Sequence, residues 1–237
     1  MTSSLQDICK QLHISGVYQY FTECGYQDPS LISFLEAACQ CELGIRSQNR
    51  RMKALKQAGF PTQKRFDDLI LEKLPDDGKK AISTLKELGF VYQKRNVVMI
   101  GNAGTGKTHL AIATGVHACE QNVKVLFRTA ASLVNELIEA KKEGRLSVLM
   151  RQMKKVELLI LDELGYITFD VQGAELLFHL LATRHETMST IITTNLPFSE
   201  WVKLFHDKAL TAALLDRITH KALILNMNGK SFRREQD

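Results

Sequence analysis

Two patterns of hydrophobic and polar positions divide the chain. Up to about residue 75, apolar residues recur at helical spacing. From about residue 79, short continuous apolar runs alternate with helical stretches. In the first part, residues 30–41 carry Leu31, Phe34, Leu35, Ala38 and Cys39 on one predicted stripe, after the start signal Asp28-Pro29-Ser30. Gly59-Phe60-Pro61 is expected to end the next helix. Leu74-Pro75-Asp76-Asp77-Gly78 predicts a turn, and with it a boundary between a small all-helical domain (1–75) and a larger one (76–237).

The second part begins with a short expected helix, 81–88, stopped by Gly89. An apolar run at 97–100 and further β-rich runs at 123–127, 158–161, 190–193 and 222–225 read as five strands. Continuous β-rich runs separated by helices mark a sheet covered on both faces, so an α/β core with a five-stranded parallel sheet is expected. No internal repeat or low-complexity segment interrupts the pattern.

Composition narrows this only a little. The chain has 237 residues, 45% hydrophobic and 24% charged, which suits a soluble globular protein with a sizeable core. No apolar run approaches the roughly 20 residues needed to cross a bilayer, and residues 1–10 lack the apolar centre of a secretory signal. The five cysteines form no CxxC pair, so reduced thiols in a cytoplasmic setting are expected rather than a metal site. The net charge of +5 permits a nucleic-acid partner without demanding one.

The chemistry is concentrated after the first strand. Gly101-Asn102-Ala103-Gly104-Thr105-Gly106-Lys107-Thr108 matches GxxxxGK[ST] and leads into a helix starting near His109. Such a loop turns backbone N–H groups inward around phosphates, and the following helix adds its positive end. Lys107 is expected on the β- and γ-phosphates of ATP, and the Thr108 hydroxyl on Mg2+. About fifty residues on, the apolar run 158–161 ends in Asp162 and Glu163. A sheet of this kind binds ligands at the carboxyl ends of its strands. Asp162 is expected to hold the metal through water, and Glu163 to polarise the attacking water. The fourth strand ends in Thr193-Thr194-Asn195, which places a polar amide, Asn195, beside the acid pair.

Together GNAGTGKTHLA (101–111), LLILDELGY (158–166), STIITTNLPFSEW (189–201), LLDRITHKA (214–222) and GKSFR (229–233) resemble the AAA+ ATPases, and within them the IstB-like and DnaC-like group. FPTQKRFDDL (60–69) looks like the IstB front domain. The resemblance implies an ATPase core without the usual C-terminal helical lid; only about a dozen residues follow Leu225. It places Asn195 at the sensor 1 position and Arg217 at the arginine finger, which serves a neighbouring subunit and so implies a homo-oligomer. Arg233, or Arg234 beside it, falls near sensor 2.

Two basic segments are candidates for DNA contact. Arg46, Arg50, Arg51, Lys53, Lys56, Lys64 and Arg65 fall in a stretch without Asp or Glu, with Arg46, Arg50 and Lys53 on one helical face. Lys141, Lys142, Arg145, Arg151, Lys154 and Lys155 follow the second strand, beyond a packing stripe of Leu133, Leu137 and Ile138. Neither carries an interleaved ladder of aromatic residues for stacking, which points to duplex backbone rather than stacked single strands. The expected function is an ATP-dependent helper of an insertion sequence that assembles on duplex DNA and stimulates a transposase. Rivals are a helicase loader, a small-molecule kinase and a non-hydrolysing ATP-dependent scaffold. Glu163, Asn195 and Arg217 argue against the kinase, and Glu163 against the scaffold.

Overall fold

The computed structural model describes residues 4–25 and 28–231. By backbone proximity the chain forms two units, 1–53 and 54–237. In the first unit, α1 (Leu5–Gln11) is capped by the Ser4 side chain, which accepts from Asp7 N–H. It is followed by α2 (Ser15–Glu23) and by α3 (Pro29–Ala58). The small core holds Leu5, Ile8, Cys9, Leu12 and Cys39, with Leu35 and Leu43 packed against them. The buried stripe of α3 therefore runs through Leu35, Cys39 and Leu43. Leu31 and Phe34, expected on it, are 42% and 69% exposed.

Two sequence expectations change here. The helix expected over 30–41 and the one ending at Gly59 are a single 30-residue helix, because nothing between Glu42 and Ala58 breaks the backbone pattern. The domain boundary expected at 74–78 also falls elsewhere. Residues 54–75 group with the second unit, where Ala58, Phe66 and Leu74 are buried in its core and Ala54, Leu55, Phe60 and Leu69 pack against it. Pro75 does not end a domain: it precedes α4 (Asp76–Glu87), whose first turn carries Asp76 and Asp77 at the positive helix end.

α4 stops at Leu88, which takes a left-handed conformation, and Gly89 opens the short α5 (Gly89–Tyr92). The core then runs β1 (Val97–Ile100), α6 (Lys107–Glu120), β2 (Val125–Thr129), α7 (Ala130–Lys142), α8 (Leu146–Met153), β3 (Leu158–Leu164), α9 (Val171–Arg184), β4 (Ser189–Thr194), α10 (Val202–Phe205), α11 (Lys208–Thr219) and β5 (Leu223–Asn226). All five strands are parallel, in the order β2-β3-β4-β1-β5. β2 begins two residues later than expected, and β3 runs on through Asp162 and Glu163. Among the described residues no helix follows β5, and none is long and apolar enough to cross a membrane.

The central strands β3 and β4 are buried almost throughout, while the edge strand β2 mixes buried with partly exposed positions and β5 buries only Leu225. Successive side chains face opposite ways. Val97, Met99, Leu158 and Ile160 enter one core with α4, α5 and α6. Val98, Leu159, Leu161 and Ile192 enter the other with α7, α8, α9 and α11. The second core contains Trp201, the single tryptophan, fully buried with its Nε1–H donating to Leu196 O at 3.3 Å. Leu133 and Leu137 are fully buried in the same core and Ile138 packs against it, so the stripe expected on α7 is present. Leu137→Ala is expected to cost about 2–5 kcal/mol by lost burial and an unfilled cavity. Denaturant unfolding followed by Trp201 fluorescence measures this, and a change below about 0.5 kcal/mol would place Leu137 among ordinary surface positions.

Candidate nucleotide site

The loop after β1 closes into a cradle because its backbone takes shapes few residues tolerate. Gly104 and Gly106 have φ of +77° and +90°, and Gly106 is the residue before α6. Gly101 is close-packed for a different reason: any Cβ there would strike the backbone carbonyl of Met227, just beyond β5. Asn102 N–H donates to Asn228 Oδ1 at 3.1 Å, so the chain leaving β5 lies against the loop. Ser231 packs on Gly104 in the same way.

Lys107 is buried, and its Nζ donates to Gly101 O and Asn102 O at 2.6 Å each. The Thr108 hydroxyl donates to Asp162 Oδ1 at 2.9 Å, joining residues 54 positions apart. The same carboxylate oxygen accepts from the Thr193 hydroxyl of β4. Asp162 is 3% exposed, so this carboxylate is buried with hydroxyl donors around it. Thr193 Oγ1 also accepts from Glu163 N–H at 3.0 Å.

Glu163 itself stands apart. Its φ is +59°, and among the described residues it is the only non-glycine within a strand with a positive φ. The β3–β4 register shifts between Leu161 and Leu164 to accommodate it. Left-handed backbone at such a residue costs about 1–2 kcal/mol. The result is an exposed Glu163 lining a cleft with Gly104 to His109, while its neighbour Asp162 stays inside the sheet.

That cleft has a volume of about 360 Å³. Beyond the loop it is lined by Lys64, Asp68, Leu69, Ile70, Leu74, Tyr166 and Thr193. The segment carrying Lys64 to Ile70 is held on α6. Arg65 pairs with Glu120 at 3.0 Å, His109 Nε2 lies 3.3 Å from Arg65 O, and Phe66 stacks edge-on to His117. Burial pushes the His109 pKa down, which keeps the ring neutral beside the loop. Apolar Leu69, Ile70 and Leu74 face a polar cradle, a division that suits a ligand with a flat apolar base and a charged tail.

Of the residues expected from sequence, Gly104, Thr105, Gly106, Lys107, Thr108, His109 and Glu163 line this one cleft, with Asp162 linked to it through Thr108. Gly101, Asn102 and Ala103 complete the loop from β1. Asn195 follows β4, and its Oδ1 would lie 3.3 Å from a Cβ on Gly165; Thr193, two residues earlier, is the β4 residue lining the cleft. Arg217 lies on α11, donating to Ala213 O at 2.8 Å with its guanidinium 5.9 Å from the Phe178 ring centre, and is not among the cleft residues. Arg233 and Arg234 lie outside the described residues.

The basic segments divide. Arg50, Arg51, Lys53 and Lys56 are exposed on α3. Arg46 is tied to Glu42 at 2.6 Å and to Leu12 O at 2.9 Å. Lys64 faces the cleft and Arg65 the Glu120 carboxylate. Lys141, Lys142, Arg151, Lys154 and Lys155 are exposed, and Arg145, also exposed, pairs with Glu143. Sequence reasoning missed Thr193, Tyr166 and the 64–74 wall. Thr193 carries no local signal, because its role depends on which strand lies beside β3.

Residues 8–237 match the family model described as IstB-like ATP binding protein. The chain is 39% identical over 200 residues to an ATP-binding protein of insertion sequence IS21 from Pseudomonas aeruginosa, covering 84% of this chain and 76% of that one. It is 34% identical over 238 residues to one of IS5376 from Geobacillus stearothermophilus, covering 98% and 94%. Among solved structures, DnaI aligns with a TM-score of 0.59 at 22% identity over 74% of this chain and 93% of that one. The DnaC helicase loader aligns with 0.53 at 21% over 64% and 92%. These two likenesses show the fold alone, a helix-covered parallel sheet with a phosphate loop after its first strand. With the phosphate loop, the paired carboxylates and this match along nearly the whole sequence, the chain belongs to the IstB-like ATP-binding protein family.

Proposed function

We propose that this protein is a Mg2+-dependent ATPase that assembles on duplex DNA as the helper of an insertion sequence and stimulates its transposase. The observation that carries the ATPase reading is the junction of Thr108, Asp162 and Glu163 at the mouth of the phosphate loop. Thr108 and Asp162 supply hard oxygen donors at one point, the donor set Mg2+ requires. When bound, Mg2+ offsets the charge of the β- and γ-phosphates. Because the Thr108 hydrogen already points to Asp162, its oxygen keeps lone pairs for a metal. Lys107 moves from its loop carbonyls to the phosphates. Exposed Glu163, turned out of the strand, takes a proton from the water that attacks the γ-phosphorus as ADP leaves.

Three observations support assembly and DNA binding. Arg217 sits on α11 and is not among the residues lining its own cleft, as expected of a finger serving a second subunit. Arg50, Arg51, Lys53 and Lys56 present cations without carboxylates between them. Related proteins are named for insertion sequences. The helicase-loader reading rests on the motifs shared with the DnaC-like group and on likeness of fold; turnover stimulated by single-stranded rather than duplex DNA would favour it.

Glu163→Gln is expected to lower ATP turnover by about 100-fold or more while preserving nucleotide binding, and to hold ATP-bound protein on duplex DNA. Phosphate release and light scattering read both; turnover near wild type would sink the hydrolytic role of Glu163. Arg217→Ala is expected to bind nucleotide normally yet lose turnover by about 10³-fold. Rescue in mixtures with Glu163→Gln subunits, which keep Arg217, supports a shared site, and undiminished turnover of the Ala variant alone excludes one. Neutralising Arg50, Arg51 and Lys53 should flatten the salt dependence of duplex binding by about 0.9 in log–log slope for each phosphate no longer neutralised. An unchanged slope assigns that face to solvent.

A further inference from the structure

The sheet order leaves one strand between the two halves of the nucleotide site. β1 delivers the phosphate loop and β3 delivers the acid pair, but β4 lies between them. One β4 side chain spans this gap. Thr193 is 1% exposed and stands opposite Met99 of β1. Its hydroxyl gives its single hydrogen to Asp162 Oδ1 and accepts the Glu163 N–H at 3.0 Å.

The acceptance is the unusual half. In a regular parallel ladder a strand N–H goes to a neighbouring backbone carbonyl. At the shifted register of β3 and β4, the Glu163 N–H is satisfied by a side chain instead. The left-handed backbone that turns Glu163 into the cleft is thereby held from the adjoining strand. The hydroxyl has one hydrogen, and its use on Asp162 leaves the oxygen to face Glu163 as an acceptor. Thr108 donates to the same Asp162 oxygen, so two donor arms, Thr108 on one side and Glu163 N–H through Thr193 on the other, converge on Asp162.

We infer that Thr193 is a positioning residue for hydrolysis: its hydroxyl holds Glu163 in its reactive orientation and links that orientation to the group on Thr108 and Asp162. This rests on the hydrolytic role given to Glu163 above. A methyl-for-hydroxyl exchange at Thr193 keeps the branched shape and removes both hydrogen bonds.

The test compares full-length Thr193→Val and Thr193→Ser with wild type, measuring kcat and, separately, the affinity for a fluorescent ATP analogue with Mg2+. Thr193→Val is expected to lose about tenfold or more in kcat with affinity held within about threefold, the mark of misplaced catalytic geometry. Thr193→Ser, which keeps the hydroxyl, should stay within about threefold of wild type in both. If Thr193→Val fails to fold, Thr193→Ala is read the same way. A hydroxyl-free variant within about twofold of wild-type kcat overturns the inference. So does a fall in affinity in step with kcat that Thr193→Ser fails to restore, since that describes packing. In the Glu163→Gln background, Thr193→Val should add no further loss. A further tenfold drop there, about as large as in wild type, would assign the hydroxyl to Asp162 alone and overturn the link to Glu163. Full turnover by Glu163→Gln itself sinks the hydrolytic reading, and this inference with it, whatever Thr193→Val does.

Discussion

The buried carboxylate of Asp162 is the constraint around which the site is arranged. A carboxylate enclosed by an apolar sheet is costly unless donors surround it. Here two hydroxyls supply them, Thr108 from the start of α6 and Thr193 from β4. Those two bonds fix the height of the phosphate loop against the end of β3. They also gather hard oxygens at one point, the donor type a divalent cation prefers. The sheet beneath, with β3 and β4 buried along almost their whole length, makes the arrangement rigid.

Glu163 solves the opposite problem. Its neighbour must be buried and hydrogen-bonded, yet it must reach the cleft. Strict alternation along β3 would send it to the other face of the sheet. The register shift and the left-handed backbone break the alternation at this residue, and both carboxylates then serve the same end of the sheet. Left-handed backbone held by surrounding structure clusters at functional positions, which accords with the role proposed for Glu163.

The wall opposite the loop comes from residues 64–74, which pack as part of the larger unit. Phe60 fills the space where a Cβ on Gly115 of α6 would stand, and its ring lies 6.1 Å from that of Phe127. The Arg65–Glu120 pair is partly exposed and worth little alone; the burial of Phe66 and Leu74 holds this segment. The segment is thus tied to the helix that carries the phosphate loop, and its side chains close the apolar end of the cleft.

The sequence by itself determined the α/β class, the five parallel strands, the phosphate loop and the acid pair. Each is a local matter: apolar runs set strand burial, glycines set the cradle, and carboxylates mark a strand's end. The IstB-like resemblance was legible in the same motifs, and the family match along residues 8–237 agrees with it. Local reading failed where distant contacts decided. Residues 54–75 look like a continuation of the helical front, but their apolar side chains find their partners on the larger unit. Leu31 and Phe34 share a stripe with Leu35, yet the small helical core covers only the side through Leu35 and Cys39. Only the tertiary structure decided that β4 lies between β1 and β3, because strand order depends on how helices cross the sheet. That order gives Thr193, one of three threonines in a buried strand, its place between Asp162 and Glu163.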